Sequence, residues 1–378
     1  MNTSVALKWL RFNLFAKPFD TVLTLIVVPT LIWLLVLFVY WVIGLANWEV
    51  IRSSAKVLMT GVFPETELWR AWIAAGAISA MLAVAAASVA RPSTTRLIVA
   101  SVVAVILILL AGTVSEKAAT NTLAISLITL LAWLVGSRSE LIQAHTAKIY
   151  AVLGIGFIAV LYPVGPSNWG GLLLSVVLTI CSAVLTIPVG IALAFGRKSK
   201  IGSVRTLSTA YIEVMRAVPL ILVVYLIWIA QPLLLSNLHV PDVVRGLIGF
   251  VLFYSAYAAE FIRSGLQSVP RGQVEAAEAL GFSDWDVKQL VVLPQAMRVA
   301  LPGLVGNTLD IFNYAPLVFI IGLTDFLRAG QMVLANPQNS GQTYEVYVFL
   351  FAAYFAIGSI ITFMARRLEL YFSKGAHR

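Results

Sequence analysis

Three ionisable side chains lie within long apolar runs of the sequence. Glu260 and Asp310 are acids, and Arg216 is a cation near one edge of its run. An ionisable residue inside a membrane span is costly and usually faces the interior of a helix bundle or a water-filled path. A buried carboxylate can bind an ammonium group, so Glu260 and Asp310 are candidates to contact a cationic or zwitterionic solute.

Further polar residues surround Asp310. Asn307, Asp310 and Tyr314 are spaced at i, i+3 and i+7, which places them on one face of a helix. Asn313 is adjacent, and Pro316 would leave backbone groups without helical partners nearby. The segment therefore predicts a polar face on a membrane helix.

A purely structural role is the alternative for these charges. Glu260 is followed at i+3 by Arg263, so the two side chains could form an ion pair that braces their helix. Arg216 could extend along its helix to the membrane interface, with its charge in water.

A polar segment near the C-terminus has its own helix signals. Residues 273–280 are rich in Ala, Glu and Leu and predict a short helix, which Gly281 would end. Ser283 and Asp284 are good N-cap residues for a second short helix, and Pro294 is expected to stop or kink the helix at that point. Two small helices should therefore meet at a glycine corner.

The composition requires a membrane. Of the 378 residues, 60% are hydrophobic and 11% are charged, and the mean hydropathy is +0.93. The formal net charge of +9 does not indicate nucleic-acid binding, because the cations occupy short gaps between apolar runs. Cys181, the single cysteine, lies inside an apolar run and is expected to be a packing residue.

Helices of about 20 apolar residues cross a bilayer. The sequence has ten candidate spans of this kind, namely 21–46, 71–90, 97–114, 121–136, 149–164, 170–195, 207–229, 243–262, 296–323 and 344–365. The fourth and fifth are short, so eight to ten spans are compatible with the sequence. The first run is too long for a cleavable signal peptide.

Lys and Arg set the expected orientation. With ten spans, the cations favour one set of loops by roughly three to one, and this set includes both termini with Lys8, Arg11, Lys374 and Arg378. Cytoplasmic loops carry this excess, so both termini are predicted to be cytoplasmic.

The polar segment resembles a known motif. Glu275-Ala276-Ala277, Gly281 and Leu293-Pro294 stand at the spacing of the EAA loop of permease subunits in binding-protein-dependent ABC importers, with Val291 at the usual isoleucine position. The resemblance implies a coupling loop that docks on an ATPase subunit. Its coupling residues would be Glu275, Ala276, Ala277, Gly281, Phe282, Leu293 and Pro294.

The resemblance covers about residues 170–367. Within that range the chain is most similar to the polar and general L-amino acid permease branch. The resemblance rests also on the segments 211–220, 255–265 and 293–298. Where that branch commonly has Lys-Asp-Thr-Ser-Leu, residues 313–317 read Asn-Tyr-Ala-Pro-Leu. The resemblance implies ATPase subunits, a second permease subunit, a periplasmic amino acid-binding protein and an amino acid substrate as partners.

The sequence thus predicts an all-α integral membrane protein of a bacterial inner membrane. Residues 1–166 would form an extension of about five spans and residues 167–378 the permease core, with the EAA coupling loop at 268–295. Glu260, Asn307, Asp310, Asn313 and Tyr314 are the candidate substrate path.

No catalysis is predicted within the chain. It has no G-x-x-x-x-G-K-[ST] sequence to hold nucleotide phosphates, so ATP and Mg²⁺ would be bound by the separate ATPase. His145, His239 and His377 are too scattered to predict a metal site. The alternatives are an ion-coupled secondary transporter of small polar solutes, which would need no ATPase, and, with less support, a membrane-embedded enzyme.

Overall fold

The computed structural model describes residues 12–89 and 92–373, and these residues are almost all helical. The predicted all-α membrane class is confirmed. No strand is present within the described ranges, where an isolated bridge joins Gly171 and Asp325. The terminal cations Lys8, Arg11, Lys374 and Arg378, and also His377, lie outside the described residues.

The chain divides into two compact units. The first ends at Glu49 and contains helix α1 (Pro18–Tyr40), which continues into a π-helical turn, Trp41–Leu45. Together they form a candidate membrane span of 28 residues. After the turn, the Trp48 indole donates to the carbonyl of Val42 at 2.8 Å.

The second unit begins with several helices that precede the predicted core. They are α2 (Glu49–Ser53), α3 (Ala55–Thr60), α4 (Leu68–Val89), α5 (Thr94–Val114), α6 (Glu116–Arg138), α7 (Glu140–Ala144) and α8 (Thr146–Leu161). Short 3₁₀ turns, Tyr162–Val164 and Pro166–Asn168, come after α8.

The remaining helices include those that surround the candidate site. They are α9 (Gly171–Arg197), α10 (Gly202–Ala217), α11 (Leu220–Leu234), α12 (Asp242–Ser268), α13 (Arg271–Ala279), α14 (Asp284–Asp286), α15 (Leu293–Tyr314), α16 (Phe326–Leu334) and α17 (Thr343–Ser373). A π-helical stretch, Val287–Val292, leads into α15, and a 3₁₀ segment, Ala315–Ile321, extends it.

Eight helices of the described ranges are long and apolar enough to cross a membrane. The bent pair α10 and α11 adds a ninth candidate, and the apolar helix Lys148–Val164 is shorter. The predicted span 207–229 is wrong as a single straight helix, because the chain breaks before Leu220 and bends by 112°.

Contacts between loops indicate which of the shorter helices cross the membrane. A Cβ at Gly61 would lie 2.7 Å from the Gly170 Cα, so the loops after α3 and before α9 touch at one side of the bundle. Two loops on one side must be separated by an even number of crossings. Because α4, α5 and α6 each qualify as candidate spans, the even count predicts that α8 crosses as well.

The bent pair is expected to cross for the same reason. The Gly171 amide donates to the Thr324 carbonyl at 2.8 Å, so the loop before α16 lies on that same side. Between these residues stand three candidate spans, α9, α12 and the one that contains α15, so the even count predicts that the bent pair supplies a fourth crossing. At the far end of the pair, the Trp228 indole donates to Asp242 at 2.8 Å, at the start of α12.

This topology predicts which loops react from outside the cell. In a Cys181→Ser background, Asn237→Cys should react with an impermeant maleimide in intact cells, whereas Lys200→Cys should react only after permeabilisation. Both positions are exposed, and α11 lies between them. Labelling of both positions in intact cells would contradict the crossing by the bent pair.

The loop contact at Gly61 also predicts a stability effect. Gly61 has φ +62 and no room for a Cβ beside Gly170, so Gly61→Ala should destabilise the protein by about 1–3 kcal/mol. Gly154→Ala is the matched control, because nothing lies within 4 Å of its added methyl group. Thermal unfolding in detergent should show a lower midpoint only for Gly61→Ala, and equal midpoints would contradict the tight contact.

Candidate functional site

The bend between α10 and α11 is caused by a proline. Val218 is extended, with φ −98 and ψ 146, as expected for the residue before Pro219. The first turn of α11 has no side-chain cap, and the initial N–H groups of a helix lack intrahelical partners. At membrane depth such an interruption is tolerated only where it is covered by protein or faces a water-filled cavity.

A cavity of about 490 Å³ lies at this bend. It is lined by residues of the bend, of α12 and of the α15 region, namely Val218, Pro219, Leu220, Ile221, Phe253, Tyr254, Tyr257, Asp310, Tyr314 and Leu317. Asp310 is the one carboxylate among these lining residues. The cavity therefore combines apolar and aromatic walls with a single negative charge, a composition typical of small-molecule sites.

Three aromatic side chains of α12 form one wall. The Phe253 ring lies 5.2 Å from the Tyr254 ring and 5.3 Å from the Tyr257 ring, measured between centroids. Phe253 and Tyr254 are buried. Aromatic faces attract cations, so this wall favours an ammonium group as the carboxylate does.

The predicted polar face of α15 is only partly brought together. Asp310 and Tyr314 line the cavity, whereas Asn307 is buried. Asn313 instead lines a groove of about 500 Å³ between α15 and α17, together with Phe355 and Arg366. Asn313 and Tyr314, at i+3 and i+4 from Asp310, thus face two neighbouring surfaces.

Glu260 lies in a separate cluster of charges at the ends of α9, α10 and α12. The Arg197 guanidinium donates to Glu260 Oε1 at 2.6 Å and to Glu213 Oε1 at 3.0 Å. The Arg263 guanidinium donates to Glu260 Oε2 at 2.9 Å, and Arg216 Nη1 lies 3.9 Å from that same oxygen. We refer to these five residues as the charged cluster. The ion pair of Glu260 with its i+3 neighbour, the alternative suggested by the sequence, is present.

The charged cluster carries more positive than negative charge. This positive charge affects the pKa of the neighbouring residue Lys198. Partial burial and then the positive charge of Arg263 lower the pKa of the Lys198 ammonium, which comes directly after the end of α9. Arg216 connects the cluster to the cavity, since its guanidinium carbon lies 5.8 Å from the centroid of the Tyr257 ring.

The coupling-loop residues form a compact corner. Helix α13 ends at Ala279, and Gly281 lies just beyond it with φ +81, the left-handed conformation expected at a helix C-terminus. The Phe282 amide donates to the Ala277 carbonyl at 3.2 Å. An ideal Cβ at Gly281 would meet nothing within 4 Å, so glycine is required there for its backbone conformation and not for space.

The outer surface of this loop is apolar and exposed. The side chains of Leu280, Trp285 and Leu290 are 78%, 70% and 60% exposed, and Phe282 is 41% exposed. Glu275 and Ala276 are also exposed, whereas Ala277 is buried. Exposed apolar side chains that cluster on a polar segment are typical of a protein-binding surface.

The second predicted helix of the loop is shorter than expected. Ser283 caps it by accepting from the Asp286 amide at 3.2 Å, but one α-helical turn gives way to the π-helical stretch. Pro294 does not end the helix, and a π-helical irregularity lies directly before it, at Val287–Val292. It occupies the first turn of α15, after Leu293, where the π-helical stretch gives way to the α-helix.

The sequence did not single out the aromatic wall or the roles of Arg197 and Glu213. Tyr254 and Tyr257 are spaced at i+3, a pattern that also fits an ordinary packed helix. In the described ranges, no three His, Cys, Asp or Glu side chains stand together so as to hold a metal ion.

Comparison with known proteins gives consistent matches. Residues 186–372 match the family described as the binding-protein-dependent transport system inner membrane component. The chain is 30% identical to the glutamate/glutamine/aspartate/asparagine transport system permease protein BztC of Rhodobacter capsulatus, over 99% of this chain and 94% of that protein.

Two further matches each cover somewhat more than half of the chain. The inner membrane amino-acid ABC transporter permease protein YhdY of Escherichia coli is 38% identical over 58% of this chain and 60% of its own length, so the chain spans less than two thirds of that relative. A crystal structure of an amino acid ABC transporter with histidines is 26% identical, covers 54% of this chain and 92% of that chain, and gives a TM-score of 0.46.

Proposed function

The chain belongs to the family of binding-protein-dependent transport system inner membrane components and is a permease subunit of an amino acid ABC importer, and we propose that it carries both the substrate cavity and the surface that couples this cavity to ATP hydrolysis. One observation supports the proposal above all. The coupling loop joins α12 to α15, and these two helices supply half of the cavity lining, including its carboxylate and its aromatic wall.

The exposed apolar surface of the coupling loop, which we call the coupling surface, serves to dock an ATPase subunit. Its exposed side chains Leu280, Phe282 and Trp285 would enter an apolar groove of the partner, with Glu275 at the rim. ATP and Mg²⁺ are bound by that partner, and this chain is not itself catalytic. When the ATPase pair closes, displacement of the loop moves α12 and α15 and switches the cavity between the two sides of the membrane.

The substrate site is the cavity at the bend. The Asp310 carboxylate binds the α-ammonium group of the amino acid, and the aromatic wall of α12 adds a cation–π attraction. The uncapped first turn of α11 presents N–H groups toward negative charge. Asn307, Asn313 and Tyr314 stay candidates for the wider path, whereas both oxygens of Glu260 are already bound by guanidinium groups.

A second permease subunit covers the exposed face of α15. Asp310, Asn313 and Tyr314 are exposed in the C-terminal part of a candidate span, where contact of polar groups with lipid would be unfavourable. A partner chain of related fold would give these polar groups a protein and water environment, and we expect it to be a different subunit of the importer.

The remaining assignments concern orientation and domains. The protein resides in an inner membrane, as its relatives do. Both termini are proposed to be cytoplasmic, on the same side as the coupling loop, and an extracytoplasmic amino acid-binding protein would deliver substrate at the opposite side. The division at residue 166 into an extension and a permease core is likewise a proposal.

Loss of the glycine corner should uncouple the importer. Gly281→Ala forces an L-residue into φ +81 at a cost of about 1 kcal/mol and should tilt the coupling surface. Gly272→Ala is the matched control, since it lies in the same loop with open space around it and no positive φ.

Copurified ATPase and ATP-dependent uptake should fall severalfold for Gly281→Ala and stay at the parental value for Gly272→Ala. Parental coupling in Gly281→Ala would refute the role of the corner. ATP-independent uptake driven by an ion gradient would instead support a secondary transporter.

Removal of the cavity charge should reduce transport without loss of assembly. Asp310→Asn keeps the side-chain size but removes the partner of the substrate ammonium, so uptake per assembled complex should fall about tenfold or more. Asp20→Asn, which removes the same charge from α1, is the control. If uptake by Asp310→Asn falls only in proportion to assembly, Asp310 is a structural residue and not part of the substrate path.

A further inference from the structure

The charged cluster has one guanidinium more than its carboxylates can bind well. Three arginines, Arg197, Arg216 and Arg263, face two acids, Glu213 and Glu260. Each acid accepts at least one short hydrogen bond from a guanidinium, so the cluster as a whole is positively charged.

The surplus charge resides on Arg216. Arg197 bridges both acids at 2.6 and 3.0 Å, and Arg263 donates to Glu260 through two nitrogens, at 2.9 and 3.1 Å to the same oxygen. Arg216 lies 3.9 Å from Glu260, beyond hydrogen-bond distance, and its side chain is 40% exposed. It is therefore held by an ion pair without a hydrogen bond and by its contact with Tyr257, and its N–H groups can bind another anion.

The position of Arg216 determines which anion can reach it. It stands two residues before Val218, which lines the cavity, and its guanidinium lies over Tyr257, which lines the cavity as well. A long, flexible side chain at the border of the cavity can turn toward it with its charge still solvated.

We propose that Arg216 recognises the α-carboxylate of the transported amino acid and that Glu260 restrains Arg216 until substrate arrives. This inference rests on the proposed function, in which the cavity is the substrate site. A guanidinium binds a carboxylate through two parallel hydrogen bonds, which makes arginine the preferred residue for this contact.

With Asp310 as the partner of the ammonium, the two residues match the two charges of a zwitterion. The site thereby selects for the main-chain groups that all α-amino acids share, and the apolar and aromatic lining leaves side-chain selection comparatively loose. Because Glu260 and the substrate carboxylate compete for Arg216, occupation of the cavity also loosens the contact between α10 and α12 in the charged cluster.

The test compares amino acids with their α-amides, which keep the ammonium and the side chain but lack the carboxylate charge. Binding of L-glutamine, L-leucine and L-arginine, and of the α-amide of each, is measured on the purified complex of permease and ATPase subunits, without the amino acid-binding protein. The parental complex should bind a transported amino acid at least about tenfold more tightly than its amide.

Arg216→Gln should reduce this preference to about twofold or less, because the free amino acid loses affinity while the amide does not. Arg216→Lys keeps the charge and should retain part of the preference, so it serves as the second variant if Arg216→Gln does not assemble. Arg205→Gln, on the same helix outside the charged cluster, is the matched control and should keep the parental preference.

Two outcomes separate the inference from its premise. An undiminished preference in Arg216→Gln, or in Arg216→Lys where only that variant assembles, overturns the role of Arg216 while the cavity stays the substrate site. An equal loss of affinity for acid and amide also overturns it, since a structural defect would weaken both. A parental complex that binds none of the six compounds overturns the proposed cavity site itself.

Discussion

Backbone hydrogen bonding in lipid is the constraint on which the rest of this structure depends. A helix can be interrupted at membrane depth only where protein or enclosed water satisfies the freed groups. The break before Pro219 interrupts a candidate span, and the chain encloses it with the aromatic wall of α12 and with the α15 region. The cavity thus forms where the helix breaks, and the carboxylate of Asp310 adds a charged group to its apolar and aromatic lining.

Close packing connects this cavity to the coupling surface. A Cβ at Gly249 would lie 2.9 Å from the Val224 backbone, so α12 and α11 approach each other without intervening side chains. Gly265 allows a similar approach of α12 to α15 at Ala296, beside the coupling loop. Helices in such contact cannot slide freely past each other, so under the proposed function a displacement of the loop would be passed on to the cavity walls.

The sequence predicted those features that depend on local chemistry. Gly281 was expected to end α13 because only glycine takes the left-handed cap readily, and the structure has it at φ +81. Membrane spans were predictable from apolar length, since most candidate runs lie within helices of the described ranges. The composition was also sufficient to predict a membrane protein, and the length of the apolar runs predicted that it is all-α.

Features that depend on tertiary contacts were not predictable. Pro219 indicates a break within the run at 207–229, but the angle of 112° depends on how α10 and α11 pack against α12. Asn313 and Tyr314 are adjacent in sequence yet line different surfaces, because a helix turns by about 100° per residue. The occupation of Glu260 by arginines also required contacts from α9, which is remote in sequence.

Substrate binding at the bend between α10 and α11 is tested most directly by a structure of the assembled importer with a bound amino acid. Ligand density is expected beside Pro219, with the ammonium group within hydrogen-bond distance of Asp310. Density confined to the partner permease, or to the groove between α15 and α17, would contradict binding at the bend.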